Sequence, residues 1–474
     1  LSSSPKPAPD GTTTLTFHEV SVPRICFVLI AGLDTALLSR NDALPTLSAL
    51  PHKTVYEPAF PAVTCTAQAT LSTGVRPDQH GILCNGLYTH GILKLHSHLD
   101  LSNHADARTR VSFWEQGNSL LQMPRFWDGL GKKTAMLFWQ QSMPGLADKP
   151  AADIVLTPKP EHTPEGKTLT ACWSAPRDLY SRLSNELGPF PLHHYWSPMA
   201  GLPSSDWILK AAERVWKREK PDLQLVYVPH LDFNLQRLGP GNPAVVKDLA
   251  DVDALLAPLA ATVRATGGTL VVAGDYGMYD VTTPVLPNLA LRRAGLLATA
   301  ADADGKLVID YDASAAFVMA DHQVAFLYAK EGRADDALRV LTGLPGVERA
   351  LSSREDLERV GLASERTGNV VLLASPTAWF AHDWWESDEE KPRWQFSVDI
   401  HNKPGFDPRE LFLDRARKCI AQDPALVKGS HGLTDDPTRW PVLLSDAPLP
   451  TTGGIEGMRA TAVAGWLKTL ITSA

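Results

Sequence analysis

The residues best suited to chemistry stand where short apolar runs end. Thr64 follows Phe60-Pro61 and opens a stretch that Gly74 stops, which places it in the first turn of a short helix. A hydroxyl there faces unpaired N–H groups and the positive end of the helix dipole, which favour an alkoxide or a bound phosphate. An unperturbed threonine is a poor nucleophile and needs a metal ion or a base beside it. Asp232 follows the apolar run 223–228, at the strand end where ligands gather in open α/β sheets, and Gln236 lies one helical turn further on. Asp275-Tyr276-Gly277-Met278 ends the run 269–273, and His431 has glycines on both sides at Gly429 and Gly432. The chemistry depends on these groups meeting at the rim of one crevice.

On residue type alone each has a plainer reading. Thr64 and Asp232 are both good helix N-caps. A lone histidine is more often structural than a ligand, and His431 reads that way when only its own segment is considered. His230 reads as a hydrogen-bonded loop histidine or, in an extended segment, as a neighbour of Asp232 on the same face. Gln236 offers only a neutral carbonyl oxygen, a poorer partner for zinc than an imidazole. Tyr276, with an ordinary pKa near about 10, binds divalent ions poorly while protonated; it suits hydrogen bonding to a phosphoryl oxygen or proton donation. His401 in Asp399-Ile400-His401, and His322 after Asp321, are further imidazoles that suit ligation or a surface polar strand. Arg237 and Lys403 are candidate phosphate contacts or solvated cations.

The elements that must position these groups alternate between short apolar runs and helical patterns. Residues 25–30, 133–139, 223–228 and 269–273 read as buried strands, while 206–218 and 244–266 have helical apolar spacing, the second stopped by Gly267-Gly268. The fold class expected is α/β, a mostly parallel central sheet sandwiched by helices. Residues 315–329, 334–344 and 347–352 suggest strand, helix and strand in an inserted α+β cap lobe, and 368–374 a return to the main sheet. The expected organisation is a disordered lead-in over 1–19, a core over 20–284 and 365–474, and the cap lobe over 285–364.

The whole-chain properties narrow the partners. The 474 residues can bury a large core, and 44% hydrophobic with 21% charged residues is ordinary globular composition. A net charge of −8 with no basic stripe argues against a nucleic-acid polymer as partner. No apolar run reaches the roughly 20 residues that span a bilayer, so no membrane partner is expected. Five scattered cysteines without a CxxC pair are no disulfide framework, and no signal peptide is legible, so a cytoplasmic location is the expectation. Nothing in the sequence sets the oligomeric state.

The ordered blocks 27–33, 60–68, 227–236, 271–278 and 429–432 resemble the alkaline phosphatase superfamily, in its nucleotide pyrophosphatase/phosphodiesterase branch. The resemblance implies an alkaline phosphatase-like core, Thr64 as nucleophile, Asn85 as a hydrogen-bond donor to a substrate oxygen, and Asp232, Asp275 and His431 as metal ligands. Three positions depart from the pattern. Ala31 stands where the first strand should end in aspartate, Gln236 where a histidine should follow Asp232, and Tyr276 where a histidine should follow Asp275. Asp34 lies three residues beyond the missing aspartate. The expected cofactor is therefore a divalent ion, zinc first and manganese or magnesium next, with one ion favoured over two. It would be held by Asp232, His431 and, as replacements, His401 or Gln236, while Asp275 belongs with Thr64 to the depleted second position. The expected function is metal-dependent hydrolysis of a small-molecule phosphoric ester, foremost a phosphodiester, through a phosphothreonine. The alternatives are a repurposed lyase, isomerase or transferase with one metal or none, and a non-catalytic pseudoenzyme.

Overall fold

The computed structural model describes residues 24–41, 43–88, 110–112, 117–144, 150–162, 168–398, 403, 405–406, 408–450 and 457–473. The lead-in over 1–19 and His401 lie outside the described residues.

The elements that carry the site are β1 (Ile25–Ile30), α1 (Thr64–Thr73), β2 (Thr134–Leu137), β3 (Leu223–Val228), α2 (His230–Leu238), α3 (Ala244–Ala265) and β4 (Thr269–Gly274). The central sheet has nine strands. Its order is Met458–Arg459, His52–Glu57, Val442–Ser445, β4, β1, β3, β2, Ile154–His162, Thr168–Ala175. The four middle strands run parallel, with β1 between β3 and β4. Val442–Ser445 pairs antiparallel with β4, and Thr168–Ala175 antiparallel with Ile154–His162. Every residue of β1 and β3 is buried. Successive strand residues face opposite sides, so full burial means that both faces are covered, as the continuous apolar runs require. Gly74 ends α1 in the left-handed region, its N–H returning to the Thr70 carbonyl.

The lobe beyond the core differs from the sequence reading. The stretch read as one strand over 315–329 is a hairpin of β5 (Ala316–Asp321) and β6 (Val324–Ala329), turning at His322, whose φ is 60°. With β7 (Val347–Leu351) and β8 (Val370–Ala374) they form a four-stranded antiparallel sheet in the order β5-β6-β8-β7. The apolar run 370–374 therefore does not return to the main sheet. It pairs antiparallel with β6 and β7, so the lobe extends beyond residue 364. An apolar run records burial, and burial is the same in either sheet. Among the described residues no helix is long and apolar enough to cross a membrane.

Candidate active site

Because β1, β3 and β4 are parallel and in register, their carboxyl ends coincide: Ile30 pairs with both Val228 and Gly274. Gly32, Asp232, Asp275 and Tyr276 thus follow the strands at one end of the sheet, beside Tyr227 near the end of β3. Gly32 is fixed by a close approach. Its φ is 68°, its N–H donates to Asp275 Oδ1 at 3.0 Å, and a Cβ there would lie 2.6 Å from Leu235 Cδ1. Thr64 is the first residue of α1 and is half-buried, the rest of that helix being almost wholly buried. Its hydroxyl lies against the phenols of Tyr227 and Tyr276.

Three of the four carboxyl oxygens of Asp232 and Asp275 accept hydrogen bonds. Asp232 Oδ1 accepts from the Tyr276 hydroxyl at 3.0 Å, and Oδ2 accepts from Gln236 Nε2. Asp275 Oδ1 accepts from the N–H groups of Gly32 and Tyr276, each at 3.0 Å, while its Oδ2 is buried without a hydrogen bond. Burial raises Asp232 to about 6, against the pull of the Tyr276 and Gln236 bonds. Burial, then the nearby Asp232 charge, raises Asp275 well above the carboxylate range. Burial likewise drives both phenols upward, so they stay protonated.

His431 also joins the cluster. Its Nδ1 contacts the Ala62 carbonyl at 2.8 Å. A carbonyl only accepts, so Nδ1 carries the proton and Nε2 the lone pair. The ring stacks on Tyr276 with centroids 3.7 Å apart and planes 1° from parallel, and lies 3.8 Å from His322, which in turn lies 4.7 Å from Phe406. Burial lowers His431 to about 3 and His322 well below the usual imidazole range, so both are neutral.

Other candidates serve elsewhere. All five N–H donors of Arg237 are taken: Leu411, Ala200, Ser197 and Pro198 carbonyls and Asn234 Oδ1. Arg237 therefore ties α2 to neighbouring loops and has no donor left for phosphate, contrary to the sequence reading. Lys403 is fully buried against Glu410 at 2.7 Å. Asn85 Oδ1 accepts from the N–H of Cys65 at 3.0 Å, and its Nδ2 donates to Asp321 Oδ1 at 3.1 Å. Asn85 thus holds the first turn of α1 from behind. His230 begins α2, so Asp232, two residues on, points away from it; His230 Nε2 lies 3.6 Å from Asp248 on α3. Asp34 caps the next turn, accepting from Leu37 N at 2.6 Å and Met278 N at 3.3 Å, and does not replace the missing aspartate.

As the side chains are arranged here, the donor set does not fit the single divalent ion expected. Among the described residues no group of three or more His, Cys, Asp or Glu could hold a metal. Gln236 points an amide N–H, not its carbonyl, at Asp232, so it competes with a cation instead of assisting it. Tyr276 does the same through its hydroxyl. Ala31 supplies no side-chain oxygen, and Asp275 keeps one oxygen free of hydrogen bonds.

Two features escaped the sequence reading. Tyr227 sits in a fully buried strand, and only the fold sets its hydroxyl beside Thr64. The face of α1 that starts at Thr64 continues through Gln68 and Ser72, and both are held by the loop after β2. Trp139 Nε1 donates to Ser72 Oγ at 3.1 Å, and Gln140 N–H to Gln68 Oε1 at 2.7 Å. Phe138 and Gln141 in that loop have φ of 58° and 52°, strained for residues with a Cβ.

Residues 25–407 match the model for type I phosphodiesterase/nucleotide pyrophosphatase. No curated protein sequence matches the chain significantly. Phosphonoacetate hydrolase from Sinorhizobium meliloti 1021, solved with phosphonoacetate, superposes with a TM-score of 0.61 at 16% identity, covering 95% of this chain and 96% of that one. Murine ectonucleotide pyrophosphatase/phosphodiesterase 5, in an inactive form with AMP, gives 0.56 at 16% identity, covering 95% of each chain. The human form gives 0.57 at 15% identity, covering 94% of each. At these identities the structures establish the alkaline phosphatase-like fold.

Proposed function

The chain belongs to the type I phosphodiesterase/nucleotide pyrophosphatase family, and from that premise we propose that it hydrolyses a small phosphoric ester, foremost a diester, with Thr64 as nucleophile. The family's enzymes are metal-dependent. The observation that carries it is Thr64 itself. Thr64 is half-buried at the first turn of α1, its hydroxyl against two protonated phenols and beside the helix end that favours an anion. In-line attack would give a phosphothreonine that water releases. A diester suits this site better than a monoester because it brings less negative charge toward the buried Asp232 carboxylate. The phosphonate and nucleotide ligands of the similar structures favour a small ligand of the same chemistry.

The test is hydrolysis of bis(4-nitrophenyl) phosphate by the wild type, Thr64→Ser and Thr64→Ala, with mass spectrometry of rapidly quenched samples. Thr64→Ala should lose hydrolysis, Thr64→Ser should keep part of it, and the quenched wild type should carry phosphate on Thr64. Hydrolysis that survives Thr64→Ala ends this reading.

One observation favours the second reading, a non-hydrolytic or non-catalytic role. Asp232 and Asp275 are both buried, near enough for the charge of the first to raise the second, and Arg237 on α2 is fully committed. Absence of phosphothreonine together with binding of AMP or phosphonoacetate by calorimetry would support it over hydrolysis.

A further inference from the structure

We infer that Asp232 is a proton acceptor in this chain, not a metal ligand: Tyr276 and Gln236 hold its two oxygens by hydrogen bonds, and Tyr276 passes the Thr64 proton to it. The inference rests on the proposed role of Thr64 and adds how that hydroxyl is activated.

Three observations carry it. Both oxygens of Asp232 already have neutral donors, Tyr276 Oη at 3.0 Å and Gln236 Nε2, and the carboxylate and amide are buried. Each oxygen keeps a second lone pair, but an ion there would have to share the carboxylate with both donors while Gln236 turns its N–H and not its carbonyl toward it. Second, the Tyr276 ring is not free to turn aside. It stacks on His431 at 3.7 Å with planes 1° from parallel, and its backbone N–H is bonded to Asp275. Third, the Tyr276 hydroxyl lies between the two groups that must exchange a proton, touching Thr64 on one side and donating to Asp232 on the other. A hydroxyl can donate and accept at once, which a histidine-bound ion at the same place would not do.

The step balances without a further reagent. The Thr64 oxygen forms a bond to phosphorus as the bond to the departing alkoxide breaks. The Thr64 proton moves to Tyr276 Oη while the Tyr276 proton moves to Asp232 Oδ1, and the alkoxide takes a proton from solvent. Water then attacks phosphorus and loses a proton to solvent, while Asp232 returns its proton to Thr64 through Tyr276. Tyr276 is the catalytic residue of the pair because it touches the nucleophile; Gln236 is a positioning residue that orients Asp232.

The experiment uses the full chain. Zinc and manganese are titrated into the purified wild type by calorimetry, elemental analysis is run after dialysis against each metal, and diester hydrolysis is followed with and without EDTA. The expected result is substoichiometric metal and an unchanged rate in EDTA. Tyr276→Phe, which keeps the stack and removes the hydroxyl, should lower kcat by about 100-fold with KM little changed. The triple variant Ala31→Asp, Gln236→His, Tyr276→His should gain bound zinc, a readout independent of activity. Stoichiometric metal in the wild type, a rate lost in EDTA, or full kcat in Tyr276→Phe overturns the inference. Those outcomes leave the nucleophile in place, whereas hydrolysis surviving Thr64→Ala removes the role of Thr64 instead.

Discussion

His431 and Ala62, 369 positions apart, are joined by a 2.8 Å bond from Nδ1 to the Ala62 carbonyl. The Ala62 N–H returns a 3.0 Å bond to the Gly432 carbonyl. The late histidine loop and the segment leading into Thr64 are therefore one unit. His431→Ala should strand the buried Ala62 carbonyl and remove the surface on which Tyr276 stacks. A loss of about 2–4 kcal/mol in urea unfolding is expected, with kcat falling more than KM rises. An unchanged unfolding midpoint would contradict this.

Gln68 gives a separate prediction for the nucleophile helix. Its Oε1 takes the Gln140 N–H at 2.7 Å, one turn along α1 from Thr64. Gln68→Leu leaves that N–H buried without an acceptor, costing about 1–3 kcal/mol. It should also shift Thr64 and lower kcat at near-constant KM. Ser72→Ala, a turn further away, should cost stability with little change in kcat. Equal kcat in the two variants would show that the ladder does not position Thr64.

Arg237 should report on stability and not on substrate. Arg237→Lys cannot satisfy four carbonyls and Asn234, so unfolding should become easier by about 2–4 kcal/mol. The KM of the folded fraction should stay the same. A several-fold rise in KM without loss of stability would return Arg237 to the substrate site.

His80 sets an acid-side response. Its Nδ1 accepts from the Ile82 N–H at 3.1 Å, so Nε2 carries the proton and meets Thr70 Oγ1 at 3.0 Å. Burial lowers His80 to about 3, whereas an unfolded histidine titrates near about 6.5. Between these values the unfolded chain binds a proton that the folded chain does not, so stability falls as pH drops through that window. Relative to His80→Gln, the wild type should lose about 3 kcal/mol between about pH 7 and about pH 4. Denaturant unfolding of both at each pH measures this; a constant difference would mean that His80 is not held neutral.

Particular residues show where sequence reading worked. The runs at 25–30, 223–228 and 269–273 became parallel buried strands because continuous apolar sequence can be satisfied only between two covered faces. Thr64 opened a helix and Gly74 closed it, both through local backbone preferences. The run 370–374 was placed in the wrong sheet because strand partners are non-local. His230 was ambiguous because extended and helical backbones send residues two apart in opposite senses; the helix sends it to Asp248, away from Asp232.

The sequence by itself determined the family, the sheet that gathers the site, and the identity of the groups at its edge. It could do so because burial, turns and helix ends follow from neighbouring residue types. Only the tertiary structure decided what those groups bind. Whether Gln236 offers its carbonyl or its N–H, whether Tyr276 reaches Asp232, and whether Arg237 has a donor left depend on partners from distant segments. Hydrogen-bond donors and acceptors are fixed by residue type, but their pairing is set by which atoms the packed chain brings within reach.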